Sequence, residues 1–155
     1  MIQVPAGLSQ MGGEVVSASL VRVTLLVRAP LVAIVDDDEG MRDALSDLLL
    51  VLDLACRTFD RAETLLAEYQ PGAFDCVITD VRMPGISGLD LLRRLRGLDT
   101  PVPVIIVTSD TDPKTRSQAL EGGAHAFLTK PLEHNALLGH LRSALARDDL
   151  SKGGN

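Results

Sequence analysis

The sequence predicts an α/β domain wound on both faces of a parallel sheet. Three observations predict it: short apolar runs, helix-period segments between them, and turn or cap residues at the junctions. Leu31-Val32-Ala33-Ile34-Val35 carries no polar residue, as a strand buried on both faces requires. Met41 to Leu52 follows as a helix, with Met41, Leu45, Leu48, Leu49 and Leu52 along one stripe. A weaker strand, about Ala55 to Phe59, leads into a helix from Ala62 to Tyr69 that Pro71-Gly72 closes. Phe74 to Thr79 is the third strand, followed by a helix from Ser87 or Gly88 to about Arg96. Pro101 and Pro103 open the fourth strand, Val102 to Thr108. Pro113 to Glu121 is a helix with proline in its first turn and Gly122-Gly123 behind it. A short strand, Ala126 to Thr129, and a helix, Glu133 to Ala146, complete the pattern. Five strands alternating with five helices require crossovers of one hand, which place helices on both sides of the sheet.

The 155 residues suffice for one ordinary domain, and 46% hydrophobic against 23% charged residues is a globular balance. A formal net charge of −6 argues against direct nucleic-acid binding, which needs a basic stripe to neutralise phosphates. Arg22 and Arg28 interrupt the longest apolar stretch, Leu20 to Val35, so no run approaches the ~18 residues of a membrane span. Without a basic opening segment no secretory signal is expected either, and the expected location is the cytoplasm. Cys56 and Cys76 lie too far apart for a CxxC motif and are expected to be buried free thiols. Residues 1–29 stand apart from the rest. Gly-rich polar text runs to Gly13, and the β-branched stretch Val15 to Val27 suits an added edge strand over Val21 to Leu25 as well as it suits a disordered extension. The domain is expected over 30–147, with 148–155 as a flexible polar tail.

In doubly wound sheets ligands bind beyond the carboxyl ends of the strands, where strand order reverses. Those ends carry Asp36, Asp37 and Asp38 after the first strand, Asp80 after the third, Thr108-Ser109 after the fourth and Lys130-Pro131 after the fifth. Acids gathered at one edge repel one another, and a hard divalent cation relieves that repulsion. No His or Cys stands at ligand spacing with them, so Mg²⁺ is expected rather than zinc. Carboxylates on a metal, one hydroxyl and one ammonium are what phosphoryl transfer uses, because catalysis there is mainly alignment and neutralisation of oxygens. Asp80, alone before Val81-Arg82-Met83-Pro84-Gly85, is the candidate nucleophile. Asp36 and Asp37 are the candidate metal ligands, and Thr108 and Lys130 the candidate contacts to phosphoryl oxygens.

With Val35-Asp36-Asp37-Asp38, Thr79 through Gly88, Val107-Thr108-Ser109 and Phe127-Leu128-Thr129-Lys130-Pro131 in this order, residues 30 to about 147 resemble the receiver domain of bacterial two-component response regulators. These are CheY-like proteins, and the text around Arg82 and Phe127 is most similar to FixJ/NtrC-type receivers that precede DNA-binding output domains. The resemblance implies a flavodoxin-like sheet of strand order 2-1-3-4-5. It implies Asp80 as phosphoacceptor, Asp37 as direct Mg²⁺ carboxylate and Asp36 as second acid. The Arg82 main-chain carbonyl is implied as a further metal ligand, Thr108 and Phe127 as switch residues, and Lys130 as the family's site lysine before a cis proline bond. The implied partners are a sensor histidine kinase or histidine phosphotransfer protein and a downstream protein target, with homodimerisation an option. Such a protein is a phosphoacceptor switch rather than a turnover enzyme, transferring phosphate to and losing it from its own Asp80. After Ala146 only a short polar segment remains in this sequence, as in a stand-alone receiver or a shortened one; standing alone, it is expected to act by docking, by relay or as a phosphate sink.

Two departures and two rivals accompany this reading. Leu132 stands where the family often has Phe, and Asp38 reads better as a helix cap than as a ligand. A haloacid-dehalogenase-type phosphatase would use Asp36 and Asp38 as its acid pair and leave Asp80 without a role. A phosphorylation-independent interaction module would have no need of the acids, the threonine and the lysine together.

Overall fold

The computed structural model describes residues 30–99 and 101–153. The suggested edge strand over Val21 to Leu25 lies outside the described residues. In chain order the elements are β1 (Leu31–Val35), α1 (Glu39–Val51), β2 (Ala55–Phe59), α2 (Ala62–Glu68), β3 (Cys76–Thr79), α3 (Gly88–Arg96), β4 (Val104–Thr108), α4 (Pro113–Glu121), β5 (Ala126–Thr129) and α5 (His134–Gly153). The five strands form one sheet in the order β2-β1-β3-β4-β5, all parallel.

Alternation along each strand divides the core into two. Ala33, Val35, Val77, Val104, Ile106 and Phe127 face Ala62 and Leu65 of α2, Leu91, Leu92 and Leu95 of α3, and Ala119 of α4. Val32, Ile34, Ile78, Ile105 and Val107 face Leu45 and Leu49 of α1 and Leu137, Leu141 and Ala144 of α5. Both faces are covered, which is why β1, β3 and β4 read as unbroken apolar runs. β2 has one covered neighbour only. It is an edge strand with Arg57 and Thr58 exposed, which accounts for its weaker text. Among the described residues no helix is long and apolar enough to cross a membrane.

Helix starts follow local capping. The Asp38 carboxylate accepts from the Gly40 and Met41 amides and starts α1 at Glu39, two residues before Met41. Ser87 caps α3 by accepting from the Asp90 amide, and Asp112 caps α4 ahead of Pro113. β3 and β4 are shorter than predicted, beginning at Cys76 and Val104, because residues 74–75 and 102–103 pack or bond without joining the ladder of one continuous strand. α2 ends at Glu68, with Tyr69 extended at φ −71°, ψ 134°, so the turn comes before Pro71. α5 runs on to Gly153, through the segment expected as a tail. No proline or glycine stands between Ala146 and that residue to end it. Cys76 is buried and its thiol is pushed up to about 12 by that burial, whereas Cys56, expected to be buried, is half-buried on the edge strand.

Gly88 opens α3 directly against the end of β3. A Cβ there would overlap the Asp80 carbonyl, so only glycine permits this approach of helix to strand. The Gly88 amide donates to the Val81 carbonyl at 2.8 Å and closes the loop between them.

Candidate functional site

Register decides which side chains stand together. Val35 pairs with Thr79, so the next residue on each strand, Asp36 and Asp80, leaves the sheet beside the other. The Asp80 amide continues the ladder by donating to the Val35 carbonyl at 3.0 Å. Thr108 pairs with Thr129 in the same way, and the Lys130 amide donates to the Thr108 carbonyl at 2.8 Å. The Lys130–Pro131 peptide bond is cis, as the resemblance implies.

Lys130 joins the two halves. Its Nζ donates to Asp36 Oδ2 and to Asp80 Oδ2, both at 3.0 Å. Main-chain amides hold the opposite oxygens: Asp38 donates to Asp36 Oδ1 at 2.9 Å and Val81 to Asp80 Oδ1 at 2.6 Å. Arg42 fixes the Asp36 carbonyl at 2.7 Å. Asp36 is 2% exposed and Asp80 9%, while Asp37 is exposed at the mouth. Burial pushes the Asp36 carboxyl up from its ordinary value, against the Asp38 amide and Lys130, which pull it down. Burial lowers the Lys130 ammonium, but its hydrogen bonds and charge pairing with Asp36 and Asp80 outweigh that and raise it overall.

One carboxylate oxygen from each of Asp36, Asp37 and Asp80 lies within 4.8 Å of the others. Three acids facing a single ammonium carry excess negative charge, and their oxygen-only donor set suits Mg²⁺. Asp38 stands outside this cluster because its carboxylate caps α1. That leaves the dehalogenase pairing of Asp36 with Asp38 without its second acid.

The flank beyond β4 is built differently. Thr108 is buried, and its Oγ1 accepts from the Asp110 amide at 3.2 Å, which leaves the hydroxyl proton free to be donated. The Asp110 carboxylate gathers the Asp112 amide at 2.8 Å, the Thr115 hydroxyl at 2.9 Å and Arg82 Nη2 at 2.8 Å. Those donors, the Asp112 amide foremost, hold its carboxyl below the ordinary carboxylate value. Arg82 thus spans from the loop after β3 to the loop after β4, its side chain 75% exposed. A cavity of about 360 Å³ opens beneath this bridge, lined by Val81, Arg82, Met83, Ser87, Leu89, Asp110 and Thr115.

Phe127 is 8% exposed and packed in the core under α4, with the Arg116 guanidinium 5.7 Å from its ring centroid. The ring is already inside. Asp110 and Glu63 have no counterpart among the residues singled out from sequence. Asp110 looks like one more loop acid beside Asp112, and Glu63 like a first-turn helix acid.

Residues 32–142 match the family model described as the response regulator receiver domain. The response regulator protein TodT of Pseudomonas putida is 38% identical over 118 residues, 76% of this chain and 52% of that protein. The transcriptional regulatory protein FixJ of Bradyrhizobium diazoefficiens is 38% identical over 112 residues, 72% of this chain and 55% of its own length. The chain therefore spans about half the length of these curated relatives. Among solved structures, the BeF3-activated DrrB receiver domain superposes with a TM-score of 0.70 at 29% identity, covering 77% of this chain and 99% of the other. FixJ-N superposes with a TM-score of 0.71 at 31% identity, covering 78% and 97%.

Proposed function

Since the chain belongs to the receiver-domain family of two-component response regulators, we propose that it is a Mg²⁺-dependent phosphoacceptor switch in which Asp80 receives the phosphoryl group. The observation that carries this reading is Lys130 bridging Asp36 and Asp80 at 3.0 Å to each, with Asp37 beside them. Asp36, Asp37 and Asp80 would hold the ion, together with the Arg82 main-chain carbonyl that the family's pattern adds. The bound ion supplies charge neutralisation for the carboxylates and the phosphoryl oxygens.

This chain's own groups do the rest. The Val81 amide and Lys130 grip opposite oxygens of Asp80 and fix the plane of its carboxylate, so attack begins from an oriented nucleophile. A carboxylate oxygen of Asp80 bonds to phosphorus as the P–N bond of a phosphohistidine breaks, and the imidazole leaves with that electron pair. Lys130 then faces a phosphoryl oxygen as a compact charge, and the Thr108 hydroxyl donates its free proton to another. Drawing Thr108 toward Asp80 works against its bond from the Asp110 amide and so pulls on the loop after β4. The surface that responds is α4, β5 and α5, with Phe127 behind it. Because the ring is already buried, its part is to fill the space behind Thr108 rather than to travel far.

The phosphodonor is a sensor histidine kinase or a histidine phosphotransfer protein, and the receiver of the signal is a protein target or a second copy. The switch acts in the cytoplasm, with its functional unit over 30–147. The test is incubation with Mg²⁺ and phosphoramidate or acetyl phosphate, read by intact mass beside Asp80→Asn. A single adduct on the wild type alone is expected. No adduct on a wild type that binds Mg²⁺ would return the chain to the phosphorylation-independent module.

A further inference from the structure

Between Asp80 and α3 the chain runs through a loop, Val81 to Ser87, whose main chain carries one of the oxygens assigned above to the metal. Its two ends are pinned locally, by the Val81 amide on Asp80 Oδ1 and by the Gly88 amide on the Val81 carbonyl. Its outer limb has no such local tie. What reaches it is Glu63, from the first turn of α2: Oε2 accepts from the Ile86 amide at 3.0 Å, across 23 residues of sequence. Among the described residues this is the one side chain from another element that grips the loop's main chain; Asp110 grips the Arg82 side chain instead.

Two further observations bear on this contact. Gly85, at φ +79°, leaves room for the carboxylate, because a Cβ at that position would overlap Glu63 Oε2. The second carboxylate oxygen, Oε1, is buried without a hydrogen-bond partner among the described residues. A buried acceptor left unpaired costs stability, so this carboxylate is poor value as mere packing. Its own amide and the Ile86 amide also hold the Glu63 carboxyl below the ordinary value, so it is ionised at neutral pH.

We propose that Glu63 is a positioning residue for the metal-dependent site: by holding the Ile86 amide in the notch at Gly85 it sets the path of the loop, and with it the place of the Arg82 carbonyl. The proposal rests on the phosphoacceptor reading for its purpose but not for its test. Removing the carboxylate frees the outer limb while leaving Asp36, Asp37, Asp80 and Lys130 in their own contacts, so the ion site weakens without losing an acid.

The experiment compares wild type, Glu63→Ala and Glu63→Gln, the last retaining an oxygen for the Ile86 amide. Two quantities are read: the Mg²⁺ concentration at half-saturation, followed by the amide signals of the loop, and hydrogen exchange at Ile86. In Glu63→Ala half-saturation should rise about 3- to 10-fold and Ile86 exchange should quicken about 10-fold beyond any change in core amides. Glu63→Gln should return both to within about 2-fold of the wild type, as a retained acceptor predicts. A residue that only stabilised the fold would quicken core and loop amides alike and leave Mg²⁺ affinity unmoved, and that result overturns the proposal, as does Glu63→Gln behaving like Glu63→Ala. A wild type that binds Mg²⁺ yet never accepts phosphate overturns the phosphoacceptor reading alone, since the two readouts here still decide on Glu63. A wild type that binds no Mg²⁺ overturns both.

Discussion

The two flanks of the candidate site differ in how far their charges are balanced. On the β1–β3 flank, Asp36, Asp37 and Asp80 face one ammonium, and the deepest acid is pushed toward its neutral form by burial. On the β4 flank, the single carboxylate of Asp110 is served by a guanidinium, a hydroxyl and an amide, and is held firmly ionised. The first flank is short of positive charge and has room for a cation to complete it. The second is complete in itself, so a change there must break existing bonds. On the proposed reading, a receptor for cation and phosphate would stand beside a self-satisfied loop, the arrangement a switch requires, because binding energy at one can be set against bonds broken at the other.

The sharpest way to test this contrast is to remove the one ammonium. Lys130→Met leaves Asp36 and Asp80 facing each other with no cation between them, and should cost about 3 kcal/mol in metal-free urea unfolding at neutral pH, with part recovered on adding Mg²⁺. The sign with pH follows from the shifts. Lys130 is raised, so its contribution is complete below its ordinary value of 10.5 and is lost as pH climbs through the higher folded value. The wild type should lose stability on that alkaline limb, and Lys130→Met should lack the loss. Asp36 is raised as well, so its favourable contribution exists below 3.8 and vanishes as pH rises through its folded value. At neutral pH ionised Asp36 is therefore a cost, and the variant should gain more than the wild type on acidification.

On the balanced flank Asp110→Ala strands the Thr115 hydroxyl and the Asp112 amide, and should cost stability to the same extent whether or not Mg²⁺ is present. A strong Mg²⁺ dependence of that cost would blur the distinction between the flanks. Asp37→Asn returns to the unbalanced side but at its exposed rim. Unfolding should change by about 0.5 kcal/mol or less, yet the rise in Tm that Mg²⁺ gives the wild type should largely disappear. Arg82→Asn likewise acts little on stability, since an exposed ion pair is worth about 1 kcal/mol or less. Its consequence should appear in time instead: with the long side chain gone from the loop after Asp80, the acyl phosphate should hydrolyse faster, as phosphate release from the purified adduct would show. Equal lifetimes would detach Arg82 from any shielding of the site.

Sequence made the unbalanced flank readable and the balanced one nearly invisible. Asp36, Asp80, Thr108 and Lys130 each end a strand, and a parallel sheet gathers strand ends at one edge whatever the details of packing. The helices were legible for a similar reason, since the stripe Leu45, Leu49 and the group Leu91, Leu92, Leu95 announce their buried faces. Asp110 and Glu63 act through loops, and which loop atom a carboxylate reaches depends on tertiary placement that no periodicity encodes. The burial of Phe127 was hidden likewise, because an aromatic at the start of a short strand reads the same turned in or out. Ends of elements shifted where the signals were local: Asp38 started α1 early, and polar text after Ala146 did not stop α5.

Gly88 gives the site mechanical reach. With no side chain between the first turn of α3 and the Asp80 carbonyl, helix and strand meet as two stiff rods sharing a bearing surface. A methyl group at that bearing would act as a wedge, and the displacement would pass along a helix anchored by Leu91, Leu92 and Leu95 instead of being absorbed locally. The residue beside Asp80 that tolerates the least change is therefore one that carries no functional group at all.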